Sequence, residues 1–248
     1  MLVRLPGAMV AEFVGSFFLT FIGIMAIHSA GLANTGQSGL LLVAVAHGLA
    51  LAVAVTATMP TSGGHLNPAI TIGFLITGQI KLVAAIGYVV AQLLGGCVAA
   101  LAVYGVLGGD AAAGQAILHG TPSVAAGVSP GVAMLAEIIA TFLLAFVIWG
   151  TGADPRAKQV GGFAIGLTIA ADIMAVGPIS GASMNPQRTF GPAAIYSVLF
   201  HDGSIWTYHW VYWVGPIVGS CIAAIIYRAM LWPRAEVKAR DVPVTQRP

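Results

Sequence analysis

Two ten-residue stretches hold the chain's most suggestive hydrogen-bonding chemistry. "SGGHLNPAIT" spans residues 62–71 and "SGASMNPQRT" spans 180–189, 118 positions later. In each, Ser-Gly leads to Asn-Pro, and a Thr follows the Pro by three residues. Asn is a good helix N-cap, and Pro suits the first helical position, where its missing N–H costs nothing. Asn67-Pro68 and Asn185-Pro186 are therefore each expected to start a helix. A helix N-terminus carries about +0.5 charge, and an Asn amide can donate to a passing oxygen. Such groups suit a path that accepts neutral hydrogen-bonding solutes and repels cations. Gly63, Gly64 and Gly181 allow tight turns ahead of each Asn. A lone Asn-Pro would be an ordinary cap of a buried helix; two in matched context argue for more. No metal-ligand cluster, nucleophile triad or phosphate loop is evident, so neither an enzyme nor a cofactor is expected.

These decapeptides sit in a chain of 248 residues that is 58% hydrophobic and 7% charged. Soluble domains carry about 25% charged residues, so so few charges could not cover a soluble fold of this size. A net charge of +2 gives no reason to expect nucleic acid. Six apolar stretches are long enough to span a bilayer, at 8–30, 39–59, 82–107, 130–152, 160–177 and 208–231. The first is read as a retained span, since it is too long for a signal peptide and lacks a cleavage site. The pieces after Asn67 and Asn185 would make helices of about 12 residues, near 18 Å, or about half a bilayer core. The predicted fold is an all-α membrane protein with six transmembrane helices and two re-entrant half-helices. Residues 1–232 form a single channel domain in two halves, 8–107 and 130–232, followed by a disordered cytoplasmic tail, 233–248. Cys97 and Cys221 both lie in apolar runs, which favours free thiols over a disulfide.

The halves repeat each other. "AEFVGSFFLTF" (11–21) echoes "AEIIATFLLAF" (136–146), "HGLALAV" (47–53) echoes "IGLTIAA" (165–171), and "YVVAQLLGGCVAA" (88–100) echoes "YWVGPIVGSCIAA" (212–224). The offsets are 125, 118 and 124. Each half has three full spans, so the second enters the membrane from the opposite side. Such an inverted repeat brings its broken segments together near the midplane. Irregular backbone there is tolerated only when buried in protein or lining a wet cavity. Basic residues favour cytoplasmic termini, with Arg4, Lys81, Arg156, Lys158 and Arg228 inside and Asp110, His119, His201 and Asp202 outside. The chain is expected in a plasma or inner membrane. His28 and His209, near span ends, are read as interfacial.

The two Asn-Pro boxes, the Glu early in each half and the six spans resemble the major intrinsic proteins, the aquaporins, over residues 8–232. Aquaporins are themselves the standing example of selectivity by pore diameter, hydrogen-bonding groups and an electrostatic barrier. The resemblance implies a passive channel for water, with ammonia or other small neutral solutes also candidates and with protons and ions excluded. It also implies a homotetramer. The family's box is Asn-Pro-Ala; Asn67-Pro68-Ala69 keeps it, whereas Asn185-Pro186-Gln187 departs at a residue that alters packing at the midplane. Carried over by spacing, the outer constriction falls on His47, Ile173, Ala182 and Arg188. His with Ile and Ala resembles the plant vacuolar (tonoplast) branch. Glu12 and Glu137 are expected to hydrogen-bond the loop backbones, and His65 to line the cytoplasmic vestibule. Asp172 adjoins Ile173 where relatives often have Asn. Thr189 and Ala193 differ from the charged residues usual in glycerol facilitators, the nearest alternative. An ion-coupled secondary transporter is a further one, because it too uses inverted repeats and broken helices. It would want titratable groups at the midplane, which here holds Asn.

Overall fold

The computed structural model describes residues 5–32, 38–157 and 160–233. The expected tail from 234 onward and Lys158 lie outside the described residues. In chain order the helices are α1 (Leu5–Leu32), α2 (Ser38–Ser62), α3 (Pro68–Ile76), α4 (Leu82–Val106), α5 (Ala111–Gly120), α6 (Pro130–Ile148), α7 (Phe163–Ser180), α8 (Pro186–Phe200) and α9 (Val211–Ile226). α6 and α9 run on into π-helical turns, Trp149–Ala153 and Tyr227–Leu231. There is no strand among the described residues. Helices satisfy their backbone groups internally, as a chain with so few charges must do in lipid. Six segments are long and apolar enough to cross a membrane, each within a few residues of its expected limits. The chain is an integral, multi-pass membrane protein.

The half-helices differ in length from the expected 12 residues. α3 has nine, because Thr77 Oγ1 donates back to Gly73 O at 2.8 Å and Gly78 turns the chain at φ 74°. α8 has fifteen and ends only at His201, in the left-handed region at φ 52°. α5 was not anticipated. Asp110 caps it by accepting from Ala113 N at 3.0 Å, and it packs against α1 and α8.

Small residues let the helices approach closely, as expected where lipid supplies no hydrophobic drive for association. A Cβ built on Gly95 of α4 would collide with Phe13 O of α1, and one on Gly219 of α9 with Ile138 O of α6. These glycines are repeat counterparts, 124 positions apart. α2 and α7 cross at Gly48 and Gly166, counterparts by the 118 offset, so that crossing lies on the axis relating the halves.

At one end, Asp154 ties the segment after α6 to the end of α9. It accepts from Arg156 Nη2 at 2.6 Å and from Tyr227 Oη at 2.9 Å, while Arg156 Nη2 also donates to Leu231 O at 2.6 Å. The Arg156 side chain holds the Asp154 carboxyl well below the usual carboxylate range. His209, just ahead of α9, is only 9% exposed and is enclosed by the rings of Phe190, Trp206 and Tyr212. Cys97 and Cys221 are free.

Candidate functional site

Each decapeptide forms a loop held from behind by one buried carboxylate. Glu12 Oε1 accepts from Ser62 Oγ at 2.6 Å and His65 N at 2.9 Å; its Oε2 accepts from Leu66 N at 2.6 Å and Gln92 Nε2 at 2.7 Å. Glu137 Oε1 accepts from Ser180 Oγ at 2.7 Å and Ser183 N at 2.9 Å, and its Oε2 from Met184 N at 2.7 Å. Every partner can donate, as carboxylate lone pairs require. Tyr88 Oη donates to Ser62 O and Tyr212 Oη to Ser180 O, both at 2.8 Å. Glu12 and Glu137, Ser62 and Ser180, and Tyr88 and Tyr212 are separated by the offsets 125, 118 and 124. The repeat read in sequence is therefore a repeat of hydrogen bonds.

The supports hold unusual backbone. Gly63, Gly64 and Gly181 have φ of 89°, 64° and 77°, as their placement led one to expect. Leu66 and Met184, just before each Asn, are also left-handed at φ 49° and 51°. A non-glycine residue there costs about 1–3 kcal/mol and persists only when its surroundings impose it. Here the imposing bonds are those from Leu66 N to Glu12 and from Met184 N to Glu137.

The turned carbonyls meet the opposite loop. Asn67 Nδ2 donates to Met184 O at 2.8 Å, and Asn185 Nδ2 donates to Leu66 O at 2.9 Å. Each Oδ1 caps its own helix, Asn67 accepting from Ala69 N at 2.9 Å and Asn185 from Gln187 N at 3.2 Å. α3 and α8 thus meet at their N-termini, and each Asn amide keeps one N–H beyond these bonds. A cavity runs past this junction, lined by Gly64, His65, Asn67, Asn185 and apolar side chains including Leu19, Leu51, Ile70, Leu144 and Ile165. Its volume is about 10 Å³, close to the roughly 10–15 Å³ one water needs.

Arg188, next after Gln187 on α8, is 5% exposed. Its Nη1 donates to Gly120 O at 2.6 Å, and its Nη2 and Nε approach His47 Nε2 at 3.1 and 3.4 Å. His47 Nδ1 lies 2.8 Å from Val43 O. A carbonyl can only accept, so Nδ1 carries the proton and Nε2 presents its lone pair to the guanidinium. No carboxylate pairs with Arg188 among the described residues. Ile173 and Ala182 share the buried cluster that also holds Met184 and Leu19. Asp172 is buried, with Oδ2 unpartnered among the described residues.

The third box residues do not line the cavity. Ala69 and Gln187 are fully buried. Gln187 Oε1 accepts from Thr20 Oγ1 of α1 at 3.1 Å, and Gly96 of α4 leaves room for it. Repeat counterparts clarify this departure: Ala69, Ala145 and Ser220 stand where Gln187, Thr20 and Gly96 stand in the other half. The longer side chain is matched by a hydroxyl donor and a smaller neighbour. His65 lines the cavity, its Nδ1 3.1 Å from Thr71 Oγ1 and its ring stacked on Phe74. Sequence reasoning missed Gly120, Leu66, Met184 and Thr20. Leu66 and Met184 were findable as the residues squeezed between the turn glycines and the caps. Gly120 acts through its carbonyl, which leaves no trace in residue type.

Six apolar helices long enough to span, with two half-helices capped against each other beside a cavity with room for about one water, define a membrane channel. The chain belongs to the major intrinsic protein family, whose family model it matches over residues 2–227. It is 43% identical over 238 residues to probable aquaporin TIP3-2 of Arabidopsis thaliana, covering 91% of this chain and 84% of that one. It is 41% identical over 227 residues to aquaporin TIP2-1 of the same plant, covering 89% and 85%. The fold is similar to the X-ray structure of the aquaglyceroporin from Plasmodium falciparum, with TM-score 0.79 and 26% identity over 92% of this chain and 97% of that one.

Proposed function

We propose that this chain is a passive water channel. The observation that carries the reading is the reciprocal bonding of Asn67 and Asn185 beside a cavity with room for about one water. Most other lining groups are apolar, so a water there takes its hydrogen bonds chiefly from the two amides, His65 and its neighbours in file. The two helix N-termini meet head to head and contribute about +0.5 charge each. Together with the Arg188 guanidinium, they repel protons and cations.

The outer constriction consists of Arg188, His47, Ile173 and Ala182, and Arg188 is its principal donor. After its bonds to Gly120 O and His47 Nε2, the guanidinium still has N–H groups for a permeating oxygen. The same opening admits ammonia, a neutral molecule of similar size. No covalent step occurs and no cofactor takes part. Both termini face the cytoplasm of a plasma or inner membrane, and four copies assemble with one pore each. The aquaporin names of the plant relatives support the water reading. Stopped-flow light scattering of proteoliposomes under osmotic shock, comparing water, glycerol, urea and ammonia, tests it. Water flux well above that of empty liposomes is expected, and flux no faster than theirs defeats the proposal.

A further inference from the structure

We propose that Gly23 is a positioning residue for the constriction: by lacking a side chain, it leaves the space in which Arg188 and His47 pair. The inference rests on the reading of those two residues as pore-lining. Gly23 lies within α1, where the backbone is ordinarily helical and φ is not positive. Conformational freedom therefore does not explain a glycine there, and glycine is a poor helix former. The reason lies in what faces it. A Cβ on Gly23 would collide with His47 Nε2, the nitrogen that accepts from Arg188, and would stand 3.0 Å from His47 Cδ2 and 3.1 Å from Arg188 Nε.

Neither partner can move aside freely. His47 is tethered through Nδ1 to Val43 O on its own helix, and Arg188 through Nη1 to Gly120 O. A methyl group at position 23 must break the pair or push it off α1 toward the open space of the pore.

The inverted repeat supplies an internal control. By the offsets 125 and 118, the counterparts of Gly23, His47 and Arg188 are Ile148, Ile165 and Ile70. All three line the cavity beside the Asn junction. Where the facing pair is aliphatic, the same crossing accommodates an isoleucine on the first helix of the half. Helix packing alone thus does not demand glycine at this position; the polar pair does.

The test is a double-mutant cycle of Gly23→Ala, His47→Ala and the double variant in proteoliposomes. Water and ammonia fluxes are read by stopped flow, and ¹⁵N NMR reads the His47 imidazole of the purified protein, assigned by its loss in His47→Ala. In the wild type, Nε2 should be unprotonated and hydrogen-bonded. Gly23→Ala should remove that hydrogen-bond signature, lower water flux severalfold and change the ammonia-to-water ratio. On the His47→Ala background the same substitution should alter each flux by less than about twofold, the range of independent sites. Wild-type fluxes and spectrum in Gly23→Ala overturn the proposal, as does an effect of equal size with and without His47. Should Gly23→Ala fail to fold, recovery of folding in the double variant supports the proposal and failure of both overturns it. A wild type with no flux above empty liposomes defeats the channel reading instead, while the NMR arm still reports whether Gly23 governs the pair.

Discussion

Replacing Glu137 by Gln separates the carboxylate's hydrogen bonds from its bulk. The side chains are nearly isosteric, but the Gln Nε2 has no free lone pair. With its carbonyl placed at the Oε1 position, Gln keeps Ser180 Oγ and Ser183 N but sets an NH₂ against Met184 N, a bond of 2.7 Å in the native chain. A hydrogen bond to a charged group contributes about 1.5–3 kcal/mol. Met184 sits at φ 51°, where the backbone costs about 1–3 kcal/mol. The lost bond is thus as large as the strain it restrains. Opening of the second loop should become about 10- to 100-fold more frequent, at 1.4 kcal/mol per tenfold. Hydrogen exchange with mass spectrometry on proteoliposomes should show protection across 180–187 falling by that factor, with little change across 62–69. Water flux should fall too, because Met184 O receives the Asn67 amide. Unchanged protection across 180–187, or equal loss in both loops, would refute the claim that this carboxylate holds this loop.

Three further outcomes follow from the same contacts. Arg188→Val removes the guanidinium from the constriction, so urea and glycerol fluxes should rise while water still passes; unchanged selectivity in the light-scattering assay removes Arg188 from the filter. Thr20→Val takes away the donor to the fully buried Gln187 Oε1, costing about 1–3 kcal/mol; thermal unfolding in detergent should show it, and the loss should vanish on a Gln187→Ala background. Asp154 has its carboxyl held below the ordinary value of 3.8, first by the Arg156 side chain, so its contribution is complete above that value and drains away as pH falls through the lower folded one. Asp154→Asn should therefore inactivate faster than wild type on heating at neutral pH, with the gap narrowing on strong acidification; a gap independent of pH would count against the tie.

Much of this protein was legible in its sequence because lipid leaves few options. A run of about 20 apolar residues in a chain with so few charges must be a spanning helix, and the observed limits differ from the expected ones by only a few residues. The Asn-Pro boxes were equally readable, since a cap and a first-turn proline act locally. Repetition added direction: three spans per half imply inversion, and the crossed Asn67 and Asn185 bonds put two N-termini face to face. α5 escaped because its ten residues are too few to span and mostly Ala and Gly, with Ile117 and Leu118 its only large apolar side chains, leaving the Asp110 cap as its clearest signal. The half-helix lengths were misjudged because hydropathy does not say where Thr77 will cap one or where His201 will end the other.

The sequence by itself determined class, span count, inversion and the two caps, all properties of residues near one another along the chain or repeated at a fixed offset. Tertiary structure alone decided what each polar group meets: Gly120 O for Arg188, Thr20 for Gln187, and an empty place at Gly23 beside His47. The first two join residues 68 and 167 positions apart, and Gly23 and His47 lie 24 apart on different helices. Several of them use a carbonyl or a missing side chain, and neither has a signature in residue type until the helices have packed.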